Sequence, residues 1–247
     1  MAVRHLFGII FAALLAAFAS MAGAEVLKVG TNAYFAPFEF VDEKNNIIGF
    51  DIDIIMAIAE ESKFDVHLMN IPFDDLADRL EDGTIDIAIS AMTIALWRQD
   101  KVDFSEGYYG SALSAMIRKA DAQFYTKPSE LERQKLCAKA GTTGEVMAEK
   151  LSHGNVIKYP NHEEAFQALR DGKCEAFIND RPVNLYYADK NHLDDVQDLG
   201  VVLTAADYGI AVKKGNERVL KMINHGIDRI RNTGRYVEIH RKWFVQK

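Results

Sequence analysis

The segment AISAMTIALWR (88–98) begins with residues typical of a buried strand and ends on an arginine. Between these ends, Ser90, Ala91 and Thr93 offer small side chains and free backbone N–H groups. The planar guanidinium of Arg98 matches a carboxylate, with which it can form two parallel charge-assisted hydrogen bonds. The segment therefore predicts a binding site for a ligand that carries a carboxylate.

Other predicted strand ends supply a complementary set of side chains. Ligands of open α/β sheets bind beyond the carboxyl ends of the strands. There the sequence places Asp180, which can accept hydrogen bonds from an ammonium group, and the rings of Phe35 and Phe73, which can exclude water. The remaining polar residues at these ends are Asn32, Lys139, Thr142 and Thr143. Together these groups suit a zwitterion.

Short apolar segments alternate with amphipathic helical patterns through most of the chain. The order strand, helix, strand, helix, strand occurs from about residue 25 to 90 and again from about 136 to 180. Such alternation predicts parallel sheets covered by helices, an α/β class. Two further extended segments, 111–119 and 207–214, each have the pattern of one strand and connect the halves. This organisation predicts two lobes with a double hinge.

The first 24 residues are typical of a secretory signal peptide. A basic start precedes the apolar run LFGIIFAALLAAFA, and Ala22-Gly23-Ala24 has the A-x-A pattern of a cleavage site. An uncleaved anchor helix is the alternative, but the run is short for a membrane span. We expect cleavage after Ala24 and an exported chain that begins near Glu25.

The two cysteines, Cys137 and Cys174, each begin a short apolar run. Disulfides persist in the oxidising compartments that an exported chain reaches. If the two runs form neighbouring strands, the cysteines can be joined; the alternative is a pair of buried thiols. The sequence leaves both outcomes open.

Composition and missing motifs exclude several classes of protein. A formal net charge of −7 with scattered Lys and Arg argues against a nucleic-acid partner. The sequence has no dinucleotide-binding or phosphate-loop motif, no H-E-x-x-H and no G-x-S-x-G. The histidines lack metal-ligand spacing, and we expect His162 and His240 on exposed helical surfaces. We therefore predict no metal, no cofactor and no catalytic residue.

Several segments resemble, in order, the polar amino-acid-binding proteins of bacterial ABC importers, solute-binding protein family 3. These segments are GTNAYFAPFEF, GFDIDIIMAIA, AISAMTIALWRQDKVDFSEGYY, AKAGTTGE, EAFINDRP, YGIAVKKGN and the closing GRYVEIHRKWF. The resemblance covers essentially the whole chain after the signal peptide. It implies a two-lobed periplasmic-binding-protein fold in which each lobe is a mainly parallel sheet flanked by helices and two strands form the hinge.

The resemblance also implies roles for individual residues. Arg98 would bind the ligand α-carboxylate and Asp180 the α-ammonium group. The residues that would assist Arg98 or line the pocket are Thr93, Thr143, Ser90, Ala91, Phe35 and Phe73. Asn32 stands where the family often carries an acidic residue, and Leu96-Trp97 replaces a polar pair common in the family. The first departure weakens the case for a cationic ligand side chain without excluding it.

Lobe boundaries and partners follow from the same resemblance. Lobe 1 would combine 25–108 with 209–247, lobe 2 would span 113–203, and the hinge would lie at 108–112 and 204–208. Ligand would meet one lobe, the other lobe would close over it, and the closed form would dock on a membrane ABC permease. The implied protein is a periplasmic monomer that transports a polar L-amino acid and is not an enzyme.

The identity of the ligand stays open at this point. Asn32 and Lys139 can hydrogen-bond an amide and so suit glutamine, and Lys139 could also serve a dicarboxylic amino acid. Arginine, lysine or histidine would need a further carboxylate, for which Glu39 is a candidate if it faces the pocket. We expect a neutral polar or basic amino acid.

Two other functions compete with transport. One is an enzyme similar to the cyclohexadienyl dehydratases, which act on prephenate-like acids and would need a general acid in the pocket. An ammonium-binding group such as Asp180 speaks against that enzyme. The other is a free-standing sensory binding module, which the lack of a transmembrane segment or attached signalling domain makes less favoured.

Overall fold

The computed structural model describes residues 24–244. The predicted signal peptide lies outside the described residues except for Ala24. No helix within the described part of the chain is long and apolar enough to cross a membrane. The strands are β1 (Glu25–Thr31), β2 (Tyr34–Phe35), β3 (Glu39–Val41), β4 (Ile47–Ile48), β5 (Phe64–Asn70), β6 (Ile87–Ala88), β7 (Val102–Phe104), β8 (Tyr109–Arg118), β9 (Leu136–Lys139), β10 (Val156–Tyr159), β11 (Ala176–Asp180), β12 (Val196–Asp198), β13 (Thr204–Tyr208) and β14 (Ala211–Lys213). The helices are α1 (Phe50–Ser62), α2 (Leu76–Glu81), α3 (Thr143–Ser152), α4 (His162–Arg170), α5 (Arg181–Lys190), α6 (Glu217–Asn232) and α7 (Arg235–Phe244), with 3-10 turns at Phe73–Asp75, Lys119–Asp121 and Pro128–Leu131.

The first large sheet has the order β5-β1-β6-β14-β7. β1 pairs in parallel with β5 and β6, whereas β14 pairs antiparallel with β6 and β7. Helix α1 covers this sheet with a buried apolar face that includes Ile54, Ile55 and Ile58. Asp51 and Asp53 lie in its first turn, where the helix dipole favours negative charge.

The second large sheet has the order β10-β9-β11-β8-β12, and β13 also pairs with β8. β9 pairs in parallel with β10 and β11, and β8 pairs antiparallel with β11, β12 and β13. The side chain of Thr142 accepts a hydrogen bond from the Glu145 backbone N–H and caps α3. Asn161 caps α4 in the same way through the Glu164 N–H.

A small third sheet, β2-β3-β4, follows the end of β1. Its register pairs Phe35 with Glu39 across β2 and β3. Phe38, in the turn between these strands, is fully buried, and its ring centroid lies 4.9 Å from that of Tyr109 and 5.2 Å from that of Tyr208. The small sheet therefore packs against the strands β8 and β13 that connect the two large sheets.

Each large sheet contains one reversed strand among otherwise parallel strands, β14 in the first sheet and β8 in the second, so both sheets are mainly parallel as the resemblance implies. One feature of the fold differs from the sequence predictions. The segment 207–214, predicted as one strand, is broken after Tyr208 and contributes β13 to one sheet and β14 to the other. A Cβ at Gly209 would lie 2.7 Å from Ile94 Cγ1, so the crossing point has no room for a side chain.

Cys137 and Cys174 form a disulfide in the second sheet, with a Cα–Cα distance of 5.8 Å. Cys137 lies on β9, and Cys174 lies two residues before β11, the parallel neighbour of β9. The bridge resolves the two outcomes that the sequence left open.

We predict that the double variant Cys137→Ala/Cys174→Ala unfolds at a lower urea concentration than the wild-type protein. The bridged residues are 37 apart in sequence, and restricting a loop of this length in the unfolded chain stabilises the folded state by about 2–4 kcal/mol. The measurement is urea unfolding followed by circular dichroism. A reducing agent should lower the wild-type midpoint and leave the double variant unchanged. Equal midpoints for oxidised wild type and variant would contradict the prediction.

Candidate functional site

A cavity lies where the strand ends of the two large sheets meet. The residues that line it are Asn32, Phe35, Glu39, Phe73, Ser90, Ala91, Thr93, Arg98, Lys139, Thr142, Thr143 and Asp180. The structure thus brings together all eleven residues that the sequence predicts to bind ligand, and it adds Glu39. The cavity volume is about 20 Å³, comparable to the space of a single water molecule. The two halves of the site are therefore closed upon each other.

Strand direction explains why these residues converge. Asn32 follows β1, Ser90 and Ala91 follow soon after β6, and Lys139 and Asp180 are the last residues of β9 and β11. Parallel strands present their carboxyl ends at the same edge of a sheet. The edges of the two sheets face each other, and the N-terminus of α3 with its cap Thr142 joins them.

Arg98 is a buried cation of the site, with 8% of its surface exposed. Its Nη1 donates to the Thr93 carbonyl at 3.0 Å, and its Nη2 donates to the Gly141 carbonyl at 3.3 Å. The guanidinium carbon lies 4.4 Å from the Trp97 ring centroid and 5.3 Å from that of Phe73. Burial lowers its pKa to about 10, so the group remains cationic at neutral pH.

Asp180 supplies a buried carboxylate on the opposite half of the site. Its Oδ1 accepts hydrogen bonds from the hydroxyl of Tyr208 at 2.6 Å and from Ser111 Oγ at 3.1 Å. Burial raises the pKa of Asp180, while these two hydroxyls and the charge of Arg98 act in the opposite direction. Sequence reasoning did not identify Tyr208 or Ser111, because neither follows a strand that ends at the cavity.

A pair of acidic residues lies at one side of the cavity. Glu39 is 1% exposed, and Asp51, in the first turn of α1, is fully buried behind it. Ser90 Oγ donates to Glu39 Oε1 at 2.9 Å, and the Ala91 N–H donates to Asp51 Oδ2 at 2.7 Å. The sequence indicates Glu39 as a site residue only if its side chain faces the pocket, and it does not single out Asp51. The sequence signal that points to both residues is a carboxylate inside each of two apolar segments, FEF for Glu39 and GFDI for Asp51.

Three polar contacts hold the two halves of the site together. Lys139 Nζ donates to Asn32 Oδ1 at 3.2 Å. The hydroxyls of Thr93 and Thr143 are 3.4 Å apart, and Arg98 reaches the Gly141 carbonyl. Burial lowers the pKa of Lys139, opposed by the charge of Glu39 and other carboxylates. Outside the Asn32–Lys139 contact lies an open groove of about 420 Å³.

The prediction that His162 lies on an exposed surface is wrong. Its side chain is buried, and its ring meets Phe35 edge-on at 5.8 Å and Tyr187 at 5.5 Å. Burial lowers its pKa to about 3, so the imidazole is neutral. His240 is half-buried, with its ring centroid 6.3 Å from that of Tyr109. The helical sequence pattern indicates that His162 and His240 lie on helices. It does not indicate that the side of each helix that carries the histidine packs against another part of the chain.

Comparisons with known proteins agree with this architecture. The family model "Bacterial extracellular solute-binding proteins, family 3" matches residues 27–246. The ABC transporter glutamine-binding protein GlnH of Bacillus subtilis (strain 168) is 32% identical over 203 residues, which are 81% of this chain and 74% of GlnH. The structure of an ancestral arginine-binding protein bound to glutamine matches with a TM-score of 0.83 and 35% identity, covering 90% of this chain and 98% of its own.

A third relative bears on the question of catalysis. The structure of the ancestral amino acid-binding protein AncCDT-1, a precursor of cyclohexadienyl dehydratase, matches with a TM-score of 0.80 and 31% identity over 89% of this chain and 95% of its own. These structures support the α/β, two-lobed fold class that the sequence predicts. Because the family model spans nearly all of residues 24–244 and the fold agrees with it, the chain belongs to the bacterial extracellular solute-binding proteins, family 3.

Proposed function

We propose that the chain is the periplasmic binding subunit of an ABC importer and captures a polar L-amino acid by hinge closure. The observation that carries this proposal is the placement of the Arg98 guanidinium and the Asp180 carboxylate in one enclosed cavity, one from each half of the site. An α-amino acid carries the complementary pair of charges. Its carboxylate would pair with Arg98, and its ammonium group would donate to Asp180.

Enclosure makes this arrangement selective for zwitterions. Arg98 and Asp180 are both 8% exposed, so a ligand that lacked one α-group would leave a buried charge without its partner. Breaking a buried ion pair in this way costs about 3–5 kcal/mol. A ligand with both groups would satisfy both lobes at once and so favour the closed arrangement.

The hinge we propose is formed by 108–112 and 204–208. These segments pair antiparallel, from Tyr109 opposite Tyr208 to Leu113 opposite Thr204. We assign 25–108 with 209–247 to lobe 1 and 113–203 to lobe 2. The Asp180 carboxylate is hydrogen-bonded to one residue of each hinge segment, so the ammonium group would bind close to the hinge.

Export and delivery to a permease belong to the same proposal. Family membership and the signal-peptide pattern of residues 1–24 support an exported protein that acts in the periplasm. We propose that it acts as a monomer. The relative from Bacillus subtilis is named as part of an ABC transporter. The partner would be a membrane permease that recognises the closed form.

For the ligand we propose a neutral polar or a basic amino acid. After the α-groups are bound, the remaining polar side chains of the cavity are Glu39, Asn32, Lys139 and small hydroxyls. Lys139 can donate to a side-chain carbonyl, and Glu39 can accept from an amide or a cation. A relative whose structure contains bound glutamine is named an arginine-binding protein. That name is consistent with a cavity able to bind the side chain of either amino acid.

A second candidate is a dehydratase acting on a prephenate-like acid, which Glu39 favours because burial raises its pKa and makes it an acid within the cavity. We expect no turnover, because the buried Asp180 carboxylate would face a substrate that carries two carboxylates and no ammonium group. The measurement is release of an aromatic product from prephenate, followed by absorbance. Turnover in wild type that is lost in Glu39→Gln would replace the transport proposal.

We predict that Arg98→Ala abolishes stabilisation by the cognate amino acid. A ligand at one hundred times its Kd stabilises the native state by about 2.7 kcal/mol, which corresponds to about 5–10 °C in Tm for a chain of this size. Loss of the buried partner should weaken binding by at least about 100-fold. The measurement is thermal unfolding of ligand-stripped protein against the common L-amino acids.

Two further variants serve as controls for the Arg98→Ala measurement. Arg98→Lys keeps the charge but loses the two-pronged geometry, so we expect an intermediate shift. Arg79→Ala removes an arginine that is 45% exposed and paired with Asp82 on the surface of the same lobe, and it should bind like wild type. An undiminished shift in Arg98→Ala, or no shift of wild type with any amino acid, would overturn the proposed function.

A further inference from the structure

The carboxyl groups of Glu39 and Asp51 are held side by side by consecutive residues. Ser90 Oγ donates to Glu39 Oε1, and the backbone N–H of the next residue, Ala91, donates to Asp51 Oδ2. The hydroxyl of Tyr108 also donates to Asp51 Oδ2, at 2.7 Å. These three donors, two from the segment that follows β6 and one from the residue before β8, therefore fix the pair in one orientation.

The other oxygen of each carboxyl group has no donor. Glu39 Oε2 and Asp51 Oδ1 are buried, and neither accepts a hydrogen bond from any described residue. Two ionised carboxylates in contact within a buried site repel each other strongly, and sharing one proton removes the repulsion and supplies the missing donor. Burial raises the pKa of Glu39, and the charge of Asp51 adds to this effect. Burial likewise raises the pKa of Asp51, to about 6.

The two members of the pair differ in access to the ligand. Glu39 lines the cavity, whereas Asp51 lies behind it. If Arg98 and Asp180 bind the α-groups, the ligand side chain is left to meet Glu39, Asn32 and Lys139. Glu39 is therefore the member of the pair that can accept hydrogen bonds from this side chain.

We propose that Glu39 accepts hydrogen bonds from the ligand side chain and that a cationic side chain displaces the proton shared with Asp51, which leaves to solvent. A carboxamide side chain donates to Glu39 without displacing that proton. Binding of a basic amino acid is therefore coupled to proton release, and binding of glutamine is not. This inference rests on the proposed function and identifies the residue that distinguishes the two ligand classes.

The charge balance of the cavity supports this coupling. Arg98 and Asp180 balance the two charges of the zwitterion, and Lys139 balances the single negative charge of the half-protonated pair. An added cation requires one more negative charge, which the pair provides by losing its proton. The other titratable groups acting on the pair are phenols whose pKa values burial raises, and they stay neutral: Tyr108, Tyr109 and Tyr236.

The direction of the pH dependence follows. The pair has a raised pKa before binding and must be ionised after a cation binds, so affinity for a basic ligand rises with pH and falls as the pair takes up its proton. One proton released corresponds to an increase in affinity of up to about tenfold per pH unit. The affinity for glutamine does not show this pH dependence, because its side chain displaces no proton from the pair.

The test is calorimetric titration of the wild-type protein with arginine and with glutamine, each in two buffers of different ionisation enthalpy. The buffer dependence of the heat counts the protons released. Both ligands share the α-groups and the closure, so protons from Asp180 or His162 cancel in the difference. We expect arginine to release about one proton more than glutamine near pH 7.

Variants then assign the proton. Glu39→Gln should weaken arginine binding by at least about 100-fold, as expected for loss of a buried charge partner, and should weaken glutamine binding by less than about tenfold. Glu43→Gln, at an exposed position four residues away, should bind both ligands like wild type. Lys139 is the other group able to lose a proton beside a bound cation. In Asp51→Asn, which removes the partner that shares the proton with Glu39, the excess proton release should disappear, whereas release from Lys139 would persist.

The outcomes separate this inference from the proposed function. Arginine binding without excess proton release, release that persists in Asp51→Asn, or binding of glutamine with no binding of arginine would each overturn the inference and leave amino-acid capture standing. Failure of every amino acid to bind the wild-type protein would overturn the proposed function itself. The buffer comparison uses only wild type, so the test does not depend on the folding of any variant.

Discussion

The site is organised around the need to satisfy a guanidinium that has almost no access to water. Arg98 cannot lose its proton at neutral pH, so every part of its surface must meet an acceptor, a ring or a ligand. The Thr93 and Gly141 carbonyls accept from two of its nitrogens, and the rings of Trp97 and Phe73 lie close to it. Gly141 belongs to the loop before α3, so satisfying Arg98 already requires both halves of the site to be closed.

The need to stabilise a buried charge also involves the proposed hinge. Asp180 is buried opposite Arg98, and its charge is stabilised by hydroxyls of Ser111 and Tyr208 from the two connecting strands. Tyr208 also packs against Phe38 of the small sheet, which carries Phe35 and Glu39. The ammonium site, the proposed hinge and one wall of the cavity are thus in direct contact, and a change at one of them has a short physical route to the others.

The sequence predicts which residues line the cavity, because one geometric rule governs their positions. Residues at the carboxyl ends of parallel strands meet at one sheet edge, and that rule places Asn32, Ser90, Lys139 and Asp180 without knowledge of the tertiary structure. The resemblance to the family adds the closure of one edge upon the other. The geometric rule and the family resemblance both concern strand order, and neither depends on the details of side-chain packing.

The remaining features depend on contacts that local patterns do not encode. Gly209 lies at the break in an apolar run that has the pattern of one strand, and Ile94 and Phe104 occupy the space that a side chain there would need. His162 is buried because Phe35 and Tyr187 cover it, although its helix is polar. Asp51 has the pattern of a helix-initiating residue, and only the tertiary structure shows that it lies beside Glu39, with donors from the consecutive residues Ser90 and Ala91.

The central claim is that one zwitterion joins the two lobes, and small-angle X-ray scattering on ligand-stripped protein tests it most directly. The radius of gyration is measured with glutamine or arginine and with analogues that lack one α-group: 4-aminobutanamide and glutaramic acid, or agmatine and 5-guanidinopentanoic acid. The account predicts that only an intact amino acid reduces the radius of gyration. An equal reduction by either type of analogue at matched concentration would contradict it.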